Sequence, residues 1–107
     1  MPTKFERISA LMQSTAHEIT ANVEAYKRFL RTAALHYKYS FPDQLLIHAQ
    51  RSDATACAEM ENWNRHGIWV KRGAKGIALL GTGSKLRYVF DVSDTTSRTG
   101  ISFRPPW

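Results

Sequence analysis

The sequence predicts an α+β domain: about four N-terminal helices followed by a small antiparallel sheet of about three strands. Three observations predict it. Apolar residues recur at helical spacing from Phe5 to Tyr37. Short runs rich in β-branched and aromatic residues occupy 68–92, and His66-Gly67 between the two regions is a helix stop. A chain of 107 residues makes one domain, and its hydrophobic fraction of 43% is ordinary for a folded globular chain.

Phe5, Ile8, Leu11 and Met12 form a first apolar stripe, and Ile19, Val23, Tyr26, Phe29, Leu30, Ala33 and Tyr37 continue it. The pattern predicts two helices, or one with a break near Ser14-Thr15. Ser40 three residues before Asp43, with Pro42 in the first turn, opens a short helix through Leu45, Leu46, Ile47 and Ala49 that ends near Arg51. Asp53 or Thr55 caps a fourth helix carrying Cys57, Met60 and Trp63, and His66-Gly67 ends it. Residues 68–70, 77–80 and 88–92 read as strands separated by Gly73-Ala74-Lys75-Gly76 and Gly81-Thr82-Gly83-Ser84. Residues 93–107 are small and polar at first and end at Arg104-Pro105-Pro106-Trp107, so no further element is expected there. The expected organisation is a helical segment over 1–36, forming one domain with a core over 37–92, then a polar linker cut inside a longer protein.

Charge is unevenly spread. Fifteen basic residues against nine acidic ones give a formal net charge of +6, which favours an anionic partner. Residues 1–61 hold seven bases and seven acids. Residues 62–90 hold six bases (Arg65, Lys71, Arg72, Lys75, Lys85, Arg87) and no acid. Lys71-Arg72-Gly73-Ala74-Lys75-Gly76 has the makings of a phosphate grip, because Gly73 and Gly76 permit close backbone approach and three cations neutralise the anion. The plain alternative is a solubilising basic turn. Trp63 and Trp69 flank Arg65 and offer stacking faces for unpaired bases; the competing reading of each is a core indole, the stronger one for Trp63. Tyr39 is a weaker stacking candidate. Lys85 and Arg87 share a strand face opposite Leu86 and Tyr88 and extend the footprint if that face is outward.

Other chemistry is poorly represented. His17, His36, His48 and His66 have no metal-ligand spacing with each other or with Cys57, so no metal and no cofactor is expected. No nucleophile-base grouping and no phosphate-binding loop of the nucleotide-hydrolase type occurs, so no enzymatic activity is expected. A nuclease site on Asp91 and Asp94 with a divalent ion competes with an ordinary polar turn. A lone cysteine, no leader-like apolar segment and no stretch of about 20 apolar residues predict a cytoplasmic protein with no membrane partner.

The stretch from Tyr39-Ser40-Phe41-Pro42-Asp43-Gln44-Leu45-Leu46-Ile47-His48-Ala49-Gln50, through Ala54-Thr55-Ala56-Cys57-Ala58 and Trp63-Asn64-Arg65-His66-Gly67, to Val70-Lys71-Arg72-Gly73-Ala74-Lys75-Gly76-Ile77-Ala78-Leu79-Leu80 resembles the N-terminal domain of ArdC-type antirestriction proteins and related large proteins of bacterial conjugative elements. The resemblance covers about residues 37–92. It implies a single-stranded DNA-binding module that precedes further domains of the same polypeptide. It also implies DNA-contact roles for Lys71, Arg72, Gly73, Lys75 and Gly76, with Gln44 and Gln50 as weaker polar candidates. The alternative expectation is a module that docks an adjacent helicase or peptidase domain.

Overall fold

The computed structural model describes residues 1–97, and its architecture is α+β. The expected end at Arg104-Pro105-Pro106-Trp107 lies outside the described residues. Helix α1 (Lys4–Ala21) begins with a reciprocal capping box: Glu6 N–H donates to Thr3 Oγ1 at 3.1 Å while Thr3 N–H donates to Glu6 Oε1 at 3.4 Å. The helix continues through Ser14-Thr15 without a break. Both hydroxyls donate to the Leu11 carbonyl, at 3.0 and 2.7 Å, and so find a partner without opening the helix. The break falls instead at Asn22, whose extended backbone ends α1 and whose Oδ1 accepts from Ala25 N–H at 2.7 Å to start α2 (Val23–Leu35). Helix α3 (Phe41–Gln50) starts at Ser40, as the spacing of Ser40, Pro42 and Asp43 predicts, and buries Leu45, Leu46 and Ile47.

The fourth helix is shorter than its sequence suggests. Cys57 and Ala58 form strand β1 (Cys57–Ala58), and only α4 (Met60–Arg65) is helical before Gly67 takes the left-handed conformation at φ +73°. A distant carboxylate is the cause. Asp91, 3% exposed, accepts from Thr55 N–H at 2.8 Å and Ala56 N–H at 3.2 Å, and Val92 N–H donates to Ala56 O at 2.8 Å. Backbone groups that a helix would use are thereby tied to another strand, and tertiary contacts override local propensity.

Strands β3 (Ile77–Leu80) and β4 (Leu86–Asp91) pair antiparallel with Ile77 opposite Val89, and β1 flanks β4 with Ala58 opposite Phe90. Strand β2 (Ile68–Val70) lies outside this sheet. It pairs with β5 (Thr95–Ser97), reached through a 3₁₀ turn at Val92–Asp94, in a stretch where the sequence predicts no element. The three-stranded sheet therefore has β1 where the sequence suggests β2, and the connector of residues 71–76 passes between two sheets instead of closing a hairpin.

Successive residues of β4 serve two cores. Val89 packs with Leu46, Ile47, Ala54, Cys57, Ile77 and Leu79 on the side of α1 and α3; Phe90 packs beside Ala58, Trp63 and Ile68 on the other. A third cluster, Ile19, Phe29 and Leu45, joins the three long helices. Gln50, at the end of α3, reaches β3 with both ends of its amide: Ala78 N–H donates to Oε1 at 3.0 Å and Nε2 donates to Ala78 O at 2.8 Å. Among the described residues, no helix is long and apolar enough to cross a membrane.

Asp91 holds the joint between the sheets. Burial alone pushes its carboxyl up, but hydrogen bonds from the Ser93 hydroxyl and the Thr55, Ala56 and Ser93 amides outweigh it and hold the group below its ordinary value of 3.8. Its contribution to stability is therefore complete above that value and is lost as pH falls below it. Asp91→Asn turns an amide toward these donors and should cost about 2 to 3 kcal/mol in urea denaturation at neutral pH. The variant should also lose less stability than the parent between neutral pH and the acid limb.

Candidate nucleic-acid interface

Strand β2 sends Ile68 and Val70 into the smaller core, so Trp69 between them points the other way and is 41% exposed. Two backbone hydrogen bonds then set the path of the chain as it leaves the strand. Lys71 N–H donates to Asp94 O at 2.8 Å, and Ala74 N–H donates to Lys71 O at 3.1 Å, closing a turn. Gly73 is the third residue of that turn at φ +83°, the position and sign a type II turn requires. Arg72 is carried at the tip, and Lys71, Arg72 and Lys75 are all exposed. The Lys71 ammonium donates to Ser93 O at 3.3 Å, which restrains it without neutralising it.

The two glycines differ in role. A Cβ on Gly73 would meet nothing within 4 Å, so its backbone is open to a ligand. A Cβ on Gly76 would lie 3.2 Å from the rings of Tyr88 and Phe90, so Gly76 is small because the next strand crowds it.

Arg65 is exposed in the last turn of α4, beside an open cleft of about 420 Å³ that it shares with Lys38, Glu59 and Glu61, where the signs are mixed. Lys85 is exposed just before β4. Arg87 is not its outward companion. It lies on the face of β4 that carries Val89, donates from Nη2 to Asp43 Oδ2 at 2.8 Å and from Nε to Leu80 O at 3.3 Å, and faces Glu59 at 3.7 Å. Its charge is balanced by carboxylates that lie far away in sequence.

The weaker candidates are built into the fold. Trp63 is fully buried and donates from Nε1 to Phe90 O at 2.9 Å. The half-buried Tyr39 hydroxyl donates to Cys57 O at 2.8 Å, and burial pushes its pKa above the ordinary phenol value. Gln44 donates to His36 O at 3.0 Å and Tyr39 O at 3.1 Å, and Gln50 serves β3. Of the residues singled out by sequence, then, Trp69, Lys71, Arg72 and Lys75 form one exposed stretch, with Arg65 and Lys85 on separate elements. Tyr88, which with Lys85 and Arg87 could extend the footprint along one strand, is exposed on β4 with the Lys4 ammonium 5.1 Å from its ring centre.

The two carboxylates of the alternative divalent-ion site, Asp91 and Asp94, are both engaged within the fold. Asp91 accepts from Thr55, Ala56 and Ser93, and Asp94 is bonded to the Arg51 guanidinium, so each carboxylate is committed. No group of three or more His, Cys, Asp or Glu is placed to hold a metal ion among the described residues. The Cys57 thiol is pushed up to about 12 by burial, helped by the nearby Asp91 charge, far from the range of an activated thiolate. The chain matches no protein-family profile, no curated protein and no solved structure.

The two indoles should respond oppositely to truncation. Trp63→Ala empties the smaller core and removes the indole hydrogen bond to Phe90 O, costing about 3 to 5 kcal/mol. Trp69→Ala should change stability by less than about 1 kcal/mol. Urea denaturation of both variants checks the assignment.

Proposed function

We propose that this chain is a sequence-tolerant single-stranded DNA-binding module, non-enzymatic, belonging to a larger protein of a mobile element. The observation that carries the reading is the exposed set Trp69, Lys71, Arg72 and Lys75: an outward indole followed by three cations, on a turn that two backbone hydrogen bonds preorganise. An aromatic face beside cations suits unpaired bases on a phosphate backbone, because stacking accepts any base and the cations follow the sugar-phosphate chain. Arg65 and Lys85 extend the positive field. The resemblance of residues 37–92 to ArdC-type N-terminal domains supports the same ligand and implies downstream domains as intramolecular partners.

A second reading is docking of a neighbouring helicase or peptidase domain. It is favoured by Val23, Tyr26 and Leu30, which repeat along one side of α2, and by Tyr37 and Phe41 beyond its end, all exposed. That ribbon lies on elements distinct from the basic connector, so the two readings separate experimentally.

Fluorescence anisotropy with labelled oligo-dT, equal-length duplex and RNA at two salt concentrations tests the proposal. Single-stranded DNA should bind best. Lys71→Ala/Arg72→Ala/Lys75→Ala should weaken it and reduce the slope of log K against log salt by about 2, since each phosphate left without its cation removes about 0.7. Trp69→Ala should cost about 1 to 3 kcal/mol of binding. Absence of binding to every nucleic acid at low salt overturns the proposal and favours docking; Tyr37→Ser, a neutral change in the exposed apolar ribbon outside both basic sites, should leave DNA affinity unchanged.

A further inference from the structure

We propose that the cleft between α1, α2 and α3 is a second foothold for the bound strand, holding one backbone phosphodiester between Arg28 and Arg31. The inference rests on the nucleic-acid reading for its ligand. The cleft, about 460 Å³, is lined by Ser14 and Glu18 of α1, Arg28 and Arg31 of α2, and His48 and Ser52 at the end of α3, among others. Arg28 and Arg31 stand three residues apart, so both project from one side of their helix. Neither has a carboxylate partner within ion-pair distance among the described residues, whereas Arg51 and Arg87 are both paired.

The wall opposite the arginines is preorganised. His48 Nδ1 is 2.8 Å from the buried Thr32 hydroxyl, and its ring stands edge-on to Phe29 at 5.6 Å between centres. The imidazole is thereby held in place with Nε2 left for the cleft. Burial lowers the His48 pKa below its ordinary value, with Glu18 pulling it up and Arg28 pushing it further down. Two guanidiniums against the one Glu18 carboxylate leave an excess of one positive charge in the cleft. That excess matches a phosphodiester, which carries one negative charge. A dianionic phosphomonoester overshoots it.

Position connects the cleft to the basic connector. Ser52 follows Arg51, whose guanidinium donates to Ser93 Oγ at 2.8 Å and to Asp94. Lys71 bonds the carbonyls of the same two residues. The end of α3 thus holds the 3₁₀ turn that also anchors the connector, and lines the cleft on its other side. The ridge between them, where Arg51 faces Asp53 and Asp94, has no positive excess, so a strand must arch across it. The geometry therefore calls for two separate phosphate contacts, and only a longer strand can make both.

The test compares oligo-dT of about 4 and about 12 nucleotides, within the range of known single-strand site sizes. The proteins are the full chain, Arg28→Ala/Arg31→Ala, Glu18→Gln, and the connector triple variant. The arginine pair variant should bind the short strand as the parent does and lose about tenfold on the long one, with a salt slope smaller by about 0.7. Glu18→Gln should tighten the long strand only, a gain that misfolding cannot produce. If the connector variant loses DNA while the arginine pair variant keeps full affinity for the long strand, the foothold is wrong and the module remains a DNA binder. If inorganic phosphate shifts the His48 imidazole NMR signals but no strand binds, the strand is overturned as the source of the phosphate. Binding of neither overturns both.

Discussion

The end of strand β4 packs on both faces, and much of the molecule is arranged around that constraint. Val89 and Phe90, adjacent in sequence, belong to different cores. One is covered by α1 and α3 and the other by α4 and β2, and a chain this short has few residues beyond those needed. Asp91 ends the same strand and gathers the amides of Thr55, Ala56 and Ser93 at one carboxylate. Because β2 packs on the Phe90 side and pairs with β5, its link to β3 runs between two sheets. The exposure of Lys71, Arg72 and Lys75 follows from that route.

Cations in this molecule divide by what their neighbours demand. Arg87 and Arg51 sit where carboxylates are already half-buried or packed against helix ends, and their planar guanidiniums meet several acceptors at once. Their removal would leave Asp43 and Asp94 unpaired. Lys71, Arg72, Lys75 and Lys85 are exposed and, among the described residues, have no carboxylate within ion-pair distance. Net charge alone does not separate these groups; the acceptor each side chain meets does.

How much of this is legible in the sequence depends on whether the cause is local. Periodicity and capping residues mark α3, the His66-Gly67 stop and the apolar faces of the first two helices, because each rests on contacts within about four residues. The same signals put a break at Ser14-Thr15 that belongs at Asn22, since hydroxyls that can cap a helix can equally bond backward within one. Cys57 reads as helical because nothing nearby announces the amide-binding carboxylate at Asp91. Strand β5 is invisible because Thr95–Ser97 is polar and acquires its meaning only beside Trp69. In the candidate interface, alternation correctly puts Lys85 and Arg87 out of phase with Tyr88, but period alone does not tell which face is covered, and Arg87 is tied to α3.

The amide of Gln50 has one more consequence. Strand β3 is the outermost strand of its sheet, with β4 on one side only, and its free edge is the kind of surface on which a second chain can template itself. Gln50 occupies the donor and the acceptor of Ala78 together, as a neighbouring strand's backbone would. A single side chain thus imitates the missing strand and ends the sheet. Closing that edge keeps two copies of the chain from pairing strand to strand there.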